Sequence, residues 1–383
     1  MKKIVFILML TILSFSCSKN YANEVKQVEN LDSNILDANV IEDKVKIPQF
    51  KPTVEWAFPT SLGIESIPFI DDGTIFFGSY NQRLYSITIE SGDLNWEFKT
   101  EGWITTSNPF IFDENVYFGS GDKNFYSLKK NDGSLNWKTK LDGQIFSSAA
   151  LFKSSIFISA GRYFYSLSSS DGKILWKRQV QDDYKNLLKS TPILSGNISY
   201  WTSGNICYAI DSFNGDIVWE FDSNEKIAGS VEINDKFIFF CTDSGTIFSL
   251  NKNDGTTNWS ISLGKRVLAS PVLNKNKLLI GTIEGLYALD INKSEFSWIF
   301  KEDSIFTRPP LITNGVAYVG TEVNNAGVMF AIDIESGIEI WKYNPEGSLD
   351  IITTPQYHEK YLYFGTIGTK DFIGHYLYKL KIE

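Results

Sequence analysis

An all-β propeller of eight four-stranded blades is the fold this sequence predicts, and three observations predict it. Eight tryptophans, Trp56, Trp96, Trp137, Trp176, Trp219, Trp259, Trp298 and Trp341, stand 40, 41, 39, 43, 40, 39 and 43 residues apart. Each interval holds short runs rich in β-branched and aromatic residues, separated by turn residues. No run carries an apolar 3.6-residue period long enough for a helix. A repeat near 40 residues with four strand-like segments is the mark of one propeller blade.

The chain opens with Lys2-Lys3 and an apolar stretch from Ile4 to Leu13, a basic flank and a core too short to span a membrane permanently. Ser14-Phe15-Ser16-Cys17 follows. A lone cysteine closing an apolar core looks like a bacterial lipoprotein signal, so residues 1–16 are expected to be removed and Cys17 lipidated. Ser18 after it is compatible with sorting to an outer membrane. An ordinary secretory signal cut nearby is the alternative. Residues 17–51 are polar and rich in Asn, Asp, Glu and Lys, and are expected to form a flexible tether of roughly 30 Å r.m.s. reach.

The propeller is expected over residues 52–383. Its first full unit reads Ser66–Ile70, Thr74–Gly78, Arg83–Ile87 and Leu94–Phe98, with turns at Asp71-Asp72-Gly73, Ser79-Tyr80-Asn81 and Ser91-Gly92-Asp93. An inner-strand signature recurs eight times, at Ser66-Ile67-Pro68, Ser107-Asn108-Pro109, Ser147-Ser148-Ala149, Ser190-Thr191-Pro192, Gly229-Ser230-Val231, Ala269-Ser270-Pro271, Thr307-Arg308-Pro309 and Thr353-Thr354-Pro355. The last unit, from about Ile351 to Ile382, has three strands and no tryptophan, while Val54–Phe58 with Trp56 has nothing before it. Placing Val54–Phe58 as the outer strand of the last blade mates the chain ends and leaves no open edge in the ring.

A tighter motif links the third and fourth strands. Ala331, Asp333, Ser336, Gly337 and Trp341 give its fullest form, and Ala209, Asp211, Gly215 and Trp219 repeat it. Glycine stands four residues before tryptophan in six of seven copies, the exception being Ser294 before Trp298. The glycine is expected at the positive-φ corner of a hairpin, with Asp, Asn or Ser bonding the turn backbone. The tryptophan is then expected on the outer strand, filling the gap to the next blade.

On these residues the chain resembles propellers built from the pyrroloquinoline-quinone (PQQ) repeat, over residues 54–383. The resemblance implies the fold and leaves cofactor binding open, since many such propellers hold none. Quinoprotein dehydrogenases of this kind have longer loops, a vicinal disulfide, and a Ca²⁺ held by Glu, Asn and Asp. This sequence has no Cys-Cys pair, and the repeated Asp211, Asp290 and Asp333 belong to the hairpin motif. No cofactor, no metal and no catalytic residue is therefore assigned. Asp182-Asp183 is read as a solvated turn in preference to a catalytic pair. His358 and His375 are the two histidines, with no ligand cluster at metal spacing beside them. Cys207 and Cys241 fall in neighbouring units and are read as small buried hydrophobes in preference to a disulfide. The net charge of −9 and the lack of a basic run exclude nucleic acid as a partner.

The loops that break the repeat are where a partner is expected. The link after Trp176 is long and carries Asp182, Asp183, Tyr184, Leu187 and Leu188, an apolar triplet with a charged rim. Tucking of Leu187 and Leu188 against a blade is an equal alternative. Phe372 and Ile373, between a second and a third strand, make another apolar tip on the same expected face. A lipoprotein signal, a short polar tether and an eight-bladed propeller without insertions resemble the BamB family of outer-membrane assembly lipoproteins. There, links from an outer strand to the next inner strand bind the barrel-forming subunit, and the resemblance implies that role for the link holding Asp182, Asp183, Leu187 and Leu188. The preceding link, Leu141 to Phe146, lacks the arginine that this resemblance leads one to expect.

Three functions follow as expectations. The first is a non-catalytic, monomeric, membrane-tethered scaffold in the bacterial envelope, at the outer membrane facing the periplasm or cell surface. The second is a PQQ-binding quinoprotein or sensor. The third is a surface lipoprotein binding an external ligand.

Overall fold

The computed structural model describes residues 50–180, 190–322, 327–346, 349–368 and 374–383. Eight antiparallel sheets form a ring, and no helix occurs among the described residues. The first sheet, blade one, runs Phe69–Asp71, Thr74–Gly78, Arg83–Thr88 and Leu94–Lys99, each strand paired with the next. Blades two to seven repeat this order through Tyr343. Blade eight takes Gln356–His358, Tyr361–Ile367 and Tyr376–Lys381 from the C-terminal end and Thr53–Pro59 as its outer strand, with Thr53 opposite Lys381 and Pro59 opposite Tyr376. The expected closure by the N-terminal strand is thus what the chain does. First strands of neighbouring blades approach one another, and that of blade eight lies beside those of blades one and seven, which closes the ring.

The second and third strands are almost wholly buried, whereas the outer strands alternate exposed and half-buried residues. The apolar clusters lie between blades: Phe76, Leu84 and Phe118 join blades one and two, and Leu286, Val319 and Phe330 join six and seven. Sheets that face each other in a ring bury both faces, so these strands read as continuous apolar runs such as Ile75-Phe76-Phe77.

The hairpin motif turns out to be an inter-blade latch. The six motif glycines, Gly92, Gly133, Gly172, Gly215, Gly255 and Gly337, hold φ of 69–75°. Each lies against the tryptophan of the preceding blade; a Cβ on Gly133 would come within 2.6 Å of the Trp96 ring. The indole Nε1–H of that tryptophan donates to a carbonyl at the same hairpin: Trp96 to Lys130 at 3.0 Å, Trp176 to Ser212 at 3.0 Å, Trp298 to Ile334 at 3.0 Å. Asp211, Asp290 and Asp333 accept backbone N–H bonds from their own turns, as the motif requires. A β-bulge precedes the tryptophan pairing in each of blades one to seven, for instance between Ser86 and Ile87, and adds local twist. Ser294 takes the glycine position with φ 57°, a left-handed conformation that a residue with a Cβ adopts at a cost.

The inner-strand signature differs from expectation in blade seven. Leu311 pairs with Tyr318 as Phe69 pairs with Phe76, so Pro310, not Pro309, matches Pro68. The register is one residue later than the sequence suggested, because two prolines in succession satisfy the same pattern. Arg308 therefore occupies the slot that Ser66, Ser107 and Ser147 fill elsewhere, where the hydroxyls of Ser107 and Ser147 accept the N–H of Gly119 and Ser159.

Candidate partner-docking face

Every blade has two ends, and the connections sort between them. Links from an outer strand to the next inner strand cross those between second and third strands on one face. Tyr80 N–H donates to Gly63, Gly121 N–H to Trp103, Ile227 N–H to Gly204, and Ile305 and Glu322 bond reciprocally. The turns between first and second strands and between third and fourth strands occupy the opposite face, the hairpin face. The first, the loop face, carries Trp103 (50% exposed), Leu62 (46%), Ile305 (39%) and Ile283 (37%). Exposed apolar residues also stand at the hairpin end, Phe213 and Ile338 at 57% among them, so exposure alone does not single out a docking face.

Of the residues expected to dock a partner, Asp182, Asp183, Tyr184, Leu187, Leu188, Phe372 and Ile373 lie outside the described residues, as does Cys17. Their flanks are placed. Val180 and Ser190 are buried on either side of the long link, and Gly368 and His375 flank the second. Both links therefore start and end on the loop face.

The loop face also holds a network that the sequence did not announce. Glu65, on the link entering blade one, is buried. It accepts a bond from Arg308 Nη2 of blade seven at 2.6 Å and another from the Tyr80 hydroxyl. The pair reaches past the entry of blade eight. Tyr80 packs its ring against Trp103, centroids 6.0 Å apart. Burial, and then its bond to Glu65, push the Tyr80 phenol well above its ordinary pKa. Thr307 donates to Glu322 beside this network. On the link from blade two to blade three, Lys177 and then Tyr165 hold the Asp142 carboxyl below the usual carboxylate range.

No chemistry converges elsewhere among the described residues. The histidines are apart: His375 Nδ1 accepts the Gly368 N–H at 2.9 Å and burial lowers its pKa, while His358 sits at the exposed end of an inner strand. No group of three metal-ligating side chains occurs among the described residues. Cys207 and Cys241 are both buried and free, and they belong to different apolar clusters, the first between blades four and five, the second between five and six. Burial raises both thiols far above their usual pKa.

A family described as outer membrane protein assembly factor BamB matches residues 52–205 and again 202–348. The chain belongs to this family. Among curated relatives, BamB of Yersinia pestis is 25% identical over 151 residues, covering 35% of this chain and 38% of that protein. BamB of Alteromonas naphthalenivorans is 28% identical over 203 residues, 43% of this chain and 46% of that protein. The chain thus matches less than half the length of these BamB relatives. Among solved structures, BamB from Moraxella catarrhalis superposes with a TM-score of 0.70 at 15% identity, covering 87% of this chain and 100% of that one. Quinohemoprotein alcohol dehydrogenase from Comamonas testosteroni superposes with a TM-score of 0.73 at 12% identity, over 86% and 76%. Likenesses at such identity concern the propeller alone.

Proposed function

We propose that this protein is a non-catalytic scaffold of the bacterial envelope, anchored by lipid on Cys17 and docking another envelope protein through its loop face. The observation that carries the reading is membership of the BamB family together with the gathering of irregular links on one face. The partner proposed is the barrel-forming subunit of outer-membrane protein assembly. The proposed contacts are Asp182, Asp183, Tyr184, Leu187 and Leu188, with Phe372 and Ile373 as a second tip. Acidic side chains around an apolar centre suit a partner surface with basic rim residues and an apolar pocket. A propeller brings rigidity to this task. Its blades hold the flanks of the links, such as Val180 and Ser190, at set spacings, so the framework needs no rearrangement when a partner binds.

The test is a pull-down of the full protein from crosslinked envelopes beside a Leu187→Asp, Leu188→Asp double variant. Recovery of the barrel-forming subunit with the native protein, reduced at least about tenfold in the variant, is expected for a hot spot of this kind. Absence of that subunit from both samples sinks the reading. Mass analysis of the mature N-terminus tests Cys17 separately: a diacylglyceryl adduct is expected there.

A further inference from the structure

The outer notch between neighbouring blades, on the hairpin face, is filled differently around the ring. Beside the notch between blades two and three, Asn136 Nδ2 on the outer strand of blade two donates to Asn115 Oδ1 of the same blade at 2.6 Å. Between three and four, Phe213 packs on Phe152 with centroids 6.3 Å apart, and Lys153 Nζ lies 5.0 Å from the Phe213 ring. Between six and seven, Lys277, the first residue of its second strand, sends Nζ to the carbonyl of Ile334 at 3.1 Å and to the Glu335 carboxylate. Between eight and one, Lys379 lies over the Tyr361 ring and donates to Ile89 at 3.0 Å.

Between blades one and two the residue equivalent to Lys277 is Thr74, too short to cross. A cavity of about 290 Å³ remains there, lined by Asp71, Asp72, Thr74, Asn95, Lys130 and Asn131 above the Ser86 hydroxyl. Lys130 Nζ is pinned to Asp71 at 2.8 Å, so the position of both charges is set by the fold. Asn95 is oriented by the Thr88 hydroxyl at 2.9 Å. Asp72 and Asn131 make no hydrogen bond with the described residues. The lining therefore offers carboxylates, carboxamides, hydroxyls and one ammonium, and is more polar than apolar.

We propose that this notch binds a hydroxylated ring of single-sugar size, with preference for one that carries an ammonium group. The chemistry excludes the other small-ligand classes. An apolar ligand meets a mostly polar wall, and a phosphate meets two carboxylates against one ammonium. A bare cation meets the ammonium of Lys130, already paired with Asp71. A ring of hydroxyls uses donors and acceptors of both kinds, and an amine on that ring faces the carboxylate of Asp72 that Lys130 does not neutralise.

The test is saturation-transfer NMR on the full chain with D-glucosamine, D-glucose and D-glucuronate. Signal is expected in that order, strongest first. Asp72→Asn should lower glucosamine affinity about two- to fivefold, the range of an exposed ion pair, with glucose little changed. Thr74→Lys copies blade six, fills the notch and should abolish the signal while the melting temperature holds. Should Thr74→Lys fail to fold, Asn131→Ala on the exposed turn replaces it, and a signal it leaves undiminished overturns the proposal. No signal from any sugar, a signal surviving Thr74→Lys, or a preference for glucuronate overturns it as well.

Discussion

Blades one to seven are each closed by a covalent hairpin, whereas blade eight is closed by two chain ends that meet only through strand pairing. In every hairpin blade but the sixth, where Ser294 stands, the turn glycine receives the preceding tryptophan, so the third-to-fourth strand turn belongs both to its own sheet and to the interface behind it. Blade eight has no such turn, so Trp341 of blade seven keeps the contact with the second strand of its own blade, on Tyr318, that the other tryptophans make, and lies among Leu349, Ile351 and Leu380 with no turn glycine against it. Its seam depends on the Thr53–Pro59 strand and on Trp56, whose indole donates to Ile89 of blade one at 3.2 Å. One local sequence device is thus repeated wherever the chain is continuous and is replaced by a long-range pairing where it is not.

Deleting residues 1–59 should break that comparison most severely. It removes the outer strand of blade eight and the Trp56 contact, and it exposes the Tyr376–Lys381 strand as a new edge. The loss is comparable with the whole of a domain's ~5–15 kcal/mol of stability. Insolubility, or rapid limited proteolysis of the C-terminal strands, is expected. A cooperative melt within a few degrees of the native protein's would show that the seam carries little.

Next in size is a pair of opposite changes at one motif position. Gly133→Ala places a Cβ against Trp96 at a φ of 69° and should cost about 2–3 kcal/mol. Ser294→Gly relieves a left-handed serine and should gain about 0.5–1 kcal/mol. Denaturant midpoints measured side by side decide it; equal signs for the two changes would mean that the corner conformation is not what the motif selects.

A further effect is pH-dependent and concerns a blade whose inner strand breaks the apolar rule. Glu232 stands where Phe69, Phe110 and Ile193 stand elsewhere, beside the blade six strand. Burial pushes its carboxyl up to about 7, against a hydrogen bond from the Leu273 backbone. Its folded pKa lies above the unfolded value, so the folded state holds the proton more tightly. Stability is then full below the unfolded pKa and falls as pH rises toward about 7. Glu232→Gln should flatten the slope between acid and neutral pH by roughly 1–2 kcal/mol, allowing for the water that still reaches this half-buried group. Melting curves across that range, identical for the two proteins, would remove Glu232 from the account.

Much of the fold was legible because it is periodic. The tryptophan interval, the glycine corner and the unmatched strand around Trp56 are local patterns, and each maps to one physical demand. The blade seven register was misread because Pro309-Pro310 fits the pattern twice. The Glu65–Arg308 pair was not legible at all, since 243 residues separate its partners and only ring closure unites them. The notch between blades one and two was hidden for a different reason: Thr74 is unremarkable in its own strand and matters only when set beside Lys277. The docking residues were named from the break in the repeat, a reading of where regularity ends; they fall outside the described residues.

The way the chain enters its last blade has a mechanical consequence. Thr53 begins the closing strand at the hairpin face, and the strand runs from there toward the loop face, ending opposite Tyr376. A pull on the chain preceding Thr53, directed away from the hairpin face, acts along the strand. It loads the pairs from Thr53–Lys381 to Pro59–Tyr376 together, in shear, whereas a pull across the strand would peel them apart one at a time. A body anchored through this end would be held by its seam in the direction in which a β-ladder is strongest, with its loop face turned away from the anchor.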